Sequence, residues 1–227
     1  MNEKKKRKVG LIVAIAVVGV LALLLLIQIV GAQAGAHSAA RGGQLTRLKL
    51  IMTFRPGVKD HPDSDGRTPL HMAAYEGHVE VAEYLLEKGA NPNSADEDGR
   101  TPLHLAAVQQ NRRTMELLLA EGAHPNARDD GGNAPLHWAA QKGRPEVAEV
   151  LLENEADPDA GDDRGMTPLH WAARNGHKKV VALLIEHEAA VNALDNDRLK
   201  PLDRAFMEQN DDIVELLKEH GSRDYDE

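Results

Sequence analysis

Thr68-Pro69-Leu70-His71 decides how this chain is read, because it returns as Thr101-Pro102-Leu103-His104, Ala134-Pro135-Leu136-His137 and Thr167-Pro168-Leu169-His170. It then decays to Lys200-Pro201-Leu202-Asp203. Every step is 33 residues, without insertion or deletion. Pro and Leu keep their places throughout, and so does an Ala three positions after the Leu: Ala73, Ala106, Ala139, Ala172 and Ala205. A fixed period of this size marks a stack of similar units, each too small to bury its own apolar face.

The residues around the motif predict a helix pair in each unit. Pro69 and its equivalents suit the first helical position, where the missing N–H would have had no partner and φ is already helical. Thr68 stands where a cap belongs. The small Ala73-Ala74 pair lets neighbouring first helices approach closely. A second helix follows, with Val81, Ala82, Leu85 and Leu86 on one stripe. The same slots hold Thr114, Met115, Leu118 and Leu119, then Val147, Ala148, Leu151 and Leu152, then Val180, Val181, Leu184 and Ile185.

This pattern resembles the ankyrin repeat, over residues 66–227 and with highly specific motifs. The resemblance implies an all-α solenoid of helix-turn-helix units with short β-hairpin tips, and a general role in binding other proteins. The units fall at 66–98, 99–131, 132–164 and 165–197, and residues 198–227 form a C-terminal capping repeat. Its Lys218, Phe206 and Asp203 take the slots of Leu86, Ala74 and His71. Residues 45–65 read as a capping half-repeat with one lone helix over Leu45–Phe54, and the Gly- and Ala-rich residues 32–44 as a flexible spacer. Three departures weaken the stack. Gly77-His78 becomes Gln110-Asn111, and Glu155 and Glu188 take the helix-ending slot of Gly89 and Gly122. If that slot is left-handed, each Glu costs on the order of 1 kcal/mol.

Ahead of the repeats, residues 1–8 form a basic cluster and Val9 to Val30 is apolar except for Gln28. A helix of this length spans about 30 Å of hydrocarbon, so residues 9–31 are expected to be a transmembrane signal-anchor. The run's length favours a retained anchor. A cleaved signal peptide is the other reading, since Ala32-Gln33-Ala34 and Ala34-Gly35-Ala36 fit the small-x-small cleavage pattern. In either case the basic flank leaves the N-terminus cytoplasmic and the repeats on the far side: single-pass in the membrane, or periplasmic or secreted after cleavage.

Charge and composition exclude several functions. Beyond residue 35 the chain has 22 basic and 35 acidic residues, a net charge of −13, which repels phosphate backbones and disfavours nucleic acid. Cysteine is absent. The histidines at 71, 104, 137 and 170 sit one per unit, about 8–10 Å apart, too far to share a zinc ion, and read as a hydrogen-bonding ladder. Acidic clusters at Asp63–Gly66 and Asp96–Gly99 resemble calcium loops but have Met72 and Leu105 where a closing Glu is needed, so they read as turn tips. No serine stands in a nucleophile elbow, and His187-Glu188 has Val191 in place of a second ligand. No enzyme, cofactor, metal or small-molecule substrate is implied.

A protein partner remains. Ankyrin-like units meet partners at the tips and the exposed side of the first helix, and the candidates there are Arg67, Met72, Tyr75, Arg100, Leu105, Val108, Trp138, Gln141, Trp171 and Arg174. Aromatic and Arg side chains on a rigid concave face suit binding hot spots. The slot of Trp138 and Trp171 is also one where this family packs a large half-buried residue. A structural self-association module is the alternative function.

Overall fold

The computed structural model describes residues 35–222. They fold as consecutive helix pairs: α1 (35–41) and α2 (Leu45–Phe54), α3 (Pro69–Glu76) and α4 (Val79–Glu87), α5 (Pro102–Gln109) and α6 (Arg112–Ala120). Then come α7 (Pro135–Lys142) and α8 (Pro145–Glu153), α9 (Pro168–Arg174) and α10 (Lys178–Glu186), and α11 (Pro201–Met207) and α12 (Asp211–Glu219). A 3-10 turn at Pro56–Asp60 follows α2. First helices from α3 to α11 pack in a row, and second helices from α2 to α12 form a parallel row behind them.

The expected seams are present. Ala73, Ala74, Ala106, Ala107, Ala139, Ala140, Ala172 and Ala173 are all fully buried between first helices. In α4, α6, α8 and α10 the first three stripe positions are buried, while Leu119, Leu152 and Ile185 at the fourth are half-covered. Thr114 sits in a stripe slot with its hydroxyl buried and without a hydrogen-bond partner.

Three expectations are corrected. Residues 35–41 are helical rather than spacer, with Ala36, Ala39 and Ala40 fully buried. Hence α2 is no lone half-cap. It pairs with α1, and His37 Nε2 lies 2.9 Å from the Arg67 carbonyl, the same link that His71 makes one unit on. The tips contain no strand among the described residues. Each is a tight turn joined to the next by one backbone bond, such as Glu97 N–H to the Asp65 carbonyl at 3.0 Å, so no ladder develops. Residues 9–31 lie outside the described residues, and among those described no helix is long and apolar enough to cross a membrane.

Candidate protein-binding groove

Each tip is built by one aspartate. Asp63, Asp96, Asp129, Asp162 and Asp195 each accept, through Oδ1, the backbone N–H groups of the residues two and four positions on. In four of the five the second oxygen then receives a side chain. Arg100 donates Nε and Nη2 to Asp96 at 3.0 and 2.9 Å. Trp138 donates its indole N–H to Asp129 at 2.9 Å, and Trp171 to Asp162 at 3.2 Å. Arg204 holds Asp195 in the same way. Burial alone would raise the Asp96 and Asp195 carboxyls. The hydrogen bonds of Arg100 to Asp96, and of Leu199 and Arg204 to Asp195, outweigh it and hold both below the usual carboxylate range.

Behind the tips runs the histidine ladder. Thr68 N–H donates to His71 Nδ1 at 3.0 Å, which leaves Nε2–H to donate to the Arg100 carbonyl, also at 3.0 Å. His104, His137 and His170 repeat the arrangement onto the carbonyls of Asn133, Met166 and Leu199. Burial lowers the pKa of all four, so each is a neutral imidazole. Nδ1 of each ring closes a contact within its own unit, and Nε2 ties that unit to the next.

Thr68, Pro69 and Leu70 are therefore scaffold, as are Thr101, Pro102 and Leu103, Pro135 and Leu136, and Thr167, Pro168 and Leu169: all are buried. The periodicity and the capping roles read from sequence have a direct geometric counterpart. Residue for residue, the 33-residue period, the motif and the helix pairs are those of one known repeat. The chain belongs to the ankyrin-repeat family. The family model for ankyrin repeats (3 copies) matches residues 12–96, 36–129, 93–162 and 136–226.

Individual ankyrin proteins are similar only over short stretches. Human oxysterol-binding protein-related protein 1 is 47% identical over 58 residues, 25% of this chain and 6% of that protein. The sex-determining protein fem-1 of Caenorhabditis elegans is 43% identical over 63 residues, 25% of this chain and 10% of that protein. Mouse protein phosphatase 1 regulatory subunit 27 is 34% identical over 62 residues, 27% of this chain and 40% of that protein. The chain thus spans well under half the length of these relatives. Ankyrin repeats are protein-interaction modules, typically non-catalytic.

Along the tips and first helices the ankyrin units enclose a groove of about 500 Å³. Seven of the sequence candidates line it: Arg67, Met72, Tyr75, Arg100, Leu105, Val108 and Trp138. Arg41, Glu76 and Lys142 join them; Arg41 stands on a helix whose Gly- and Ala-rich composition reads as a spacer. Met72 and Leu105 are buried and form the floor, whereas Tyr75 is 42% exposed. Four cations face one carboxylate, Glu76, on a chain of net charge −9. Arg100 is saturated by Asp96 and Asp98. Arg67 is partly neutralised by Asp65 at 3.2 Å and keeps a buried Nε without a hydrogen bond, since Asp96 at 3.5 Å lies off its axis. The Arg41 guanidinium donates to the Met72 sulfur at 3.2 Å, and among the described residues it makes no ion pair.

The remaining candidates lie outside this groove. Gln141 and Trp171 line a smaller adjoining cleft. Trp171 is buried between Arg164 and Arg174, 4.7 and 5.9 Å from its ring centre. Arg174 also faces Glu208 at 3.4 Å. Trp138 is half-buried. Both indoles lock their own tip aspartates, so their first role is packing.

Proposed function

We propose that this groove is the recognition site for a protein partner, presented on the non-cytoplasmic side of a membrane by residues 9–31. One observation carries the reading: an apolar floor of Met72, Leu105 and Val108 lies among cations on a protein that is otherwise acidic. A partner segment that fits brings an apolar side chain to the floor and carboxylates to Arg41 and Lys142. The length of the apolar run supports a retained anchor over a cleaved signal. Processing after Ala36 would also cut α1 at a fully buried residue.

The test is affinity capture with the detergent-solubilised full chain, followed by titration of the captured partner against variants. Tyr75→Ala and Arg41→Glu are expected to weaken binding by roughly thirtyfold each, the effect of losing about 2 kcal/mol at a hot spot. Melting curves should hardly move, because both side chains are exposed. Glu83→Ala and Glu149→Ala on the second helices serve as controls and should leave affinity unchanged. Loss of binding in the controls alone would move recognition to the convex side.

A further inference from the structure

Both ends of the stack expose large apolar side chains, but in opposite electrostatic settings. At the N-terminal end Leu50 and Phe54 are 62% and 78% exposed; at the C-terminal end Phe206 and Met207 are 69% and 62% exposed. Around the first pair, α2 and the residue after it carry Arg47, Lys49 and Arg55 and no acidic side chain. Beside the second pair, α12 carries Asp211, Asp212, Glu215 and Glu219 against Lys218. Among the described residues, the N-terminal pair thus lies on a basic helix and the C-terminal pair beside an acidic one.

Helical spacing sorts the faces of α2. Leu48 and Met52 point into the core. Lys49 leans toward the next unit, its ammonium 5.3 Å from the Tyr84 ring centre. At about 100° per residue, Arg47, Leu50 and Phe54 share the face turned away from that unit. Among the described residues this is the open end, with no unit stacked on it. The chain enters beside it: a Cβ on Gly35 would stand 3.3 Å from Ile51 Cδ1.

Chain length then limits what can cover this end. Only residues 32–34 separate the apolar run from α1. Fully extended, the links to Gly35 reach about 14 Å, against a headgroup layer about 5–8 Å thick on each side of a bilayer. A second copy of the stack, with layers roughly 8–10 Å apart, has no room between the open end and the bilayer.

We infer that α2 is a membrane seat. Leu50 and Phe54 enter the boundary between headgroups and acyl chains of the bilayer, and Arg47 and Arg55 meet lipid phosphates, as interfacial amphipathic helices do. The stack then stands on the bilayer by its N-terminal end, which sets the height at which the groove opens. This rests on residues 9–31 being the membrane segment proposed above.

The absence of cysteine makes the test direct. The full chain, carrying an environment-sensitive fluorophore on Leu50→Cys, Phe54→Cys or Phe206→Cys, is reconstituted into vesicles of phosphatidylcholine and phosphatidylglycerol. A lipid spin-labelled near its headgroup serves as quencher. The labels at positions 50 and 54 are expected to be quenched about threefold or more beyond the label at 206. Adding Arg47→Glu and Arg55→Glu should remove that excess. Equal quenching at 54 and 206, in protein that floats with the vesicles, overturns the seat while leaving the anchor intact. Protein that does not float overturns the anchor reading and the seat with it. Quenching at 54 by a spin label on Phe206→Cys of another copy assigns the open end to end-to-end stacking instead.

Discussion

The tip side and the outer side of the stack connect the same units by different means. At the tips, left-handed residues Gly66, Gly99, Gly132 and Gly165 have φ between 71° and 75°. A Cβ on Gly99 would stand 2.8 Å from the backbone nitrogen of Asp130, which itself donates to the Asp98 carbonyl. On the outer side, Gly89 and Gly122 have φ of 75° and 84°, yet a Cβ on either meets nothing within 4 Å. Neighbouring loops there are bridged by side chains, as when Asn93 donates to the Gly122 carbonyl and accepts from His124 N–H. The two slots share a conformation and differ in their neighbours. So the outer slot accepts Glu155 and Glu188, both at φ 64°, and the tip slot accepts a side chain only at Arg198, beyond which no described tip follows. Left-handed backbone is a cost; a close neighbour makes it a prohibition.

Acidification should test the tip side most severely. His71, His104, His137 and His170 are held neutral by burial, with folded pKa values below the ordinary one. Their contribution is therefore present above about pH 6.5 and is lost as pH falls below it, because the unfolded chain binds protons that the folded stack does not. With the unfolded histidines protonated and the folded ones neutral, the slope reaches about 1.4 kcal/mol per pH unit for each, or about 5 for the four together. Urea melts across this range would check it, and a flat profile would mean that the ladder is not buried as neutral rings.

Next in size is a direct contrast of the two slots. Gly99→Ala is expected to cost about 3 kcal/mol, from the left-handed penalty together with displacement of the tip-to-tip hydrogen bond. Gly89→Ala should cost only about 1 kcal/mol, the conformational term alone. Equal losses in thermal or urea melts would break the distinction between the two sides. The smallest effect is a gain: Glu155→Gly should stabilise the stack by about 1 kcal/mol, since its slot is left-handed and open. The same melts decide it, and no gain would mean that the Glu155 side chain makes a compensating interaction.

The α1 helix shows why part of the fold escaped the sequence. His37-Ser38-Ala39-Ala40-Arg41-Gly42-Gly43 matches His71-Met72-Ala73-Ala74-Tyr75-Glu76-Gly77 at His, both Ala and the last Gly. It stands 34 residues away instead of 33, and lacks the Thr-Pro-Leu lead. A search held to the exact period steps over it, and a composition of small residues suggests a spacer. Packing reverses that reading, since Ala39 and Ala40 are small enough to lie fully buried in the core. The candidate site was partly legible for a related reason. Slot position identified seven groove residues, but Trp171 and Arg174 occupy equivalent slots and point into other company.

The sequence by itself determined the repeat: its period, the starts of its first helices from Pro69 onward, the apolar stripe, and the histidine slot. These depend on the spacing of residue types along one chain, which local backbone geometry converts into faces. Only the tertiary structure decided which left-handed slots tolerate a side chain, that the tip aspartates clasp Arg100, Trp138, Trp171 and Arg204, and that Arg41 joins the groove. Each of these is settled by distances between units, and units one period apart meet through side-chain volumes and directions that no linear spacing records.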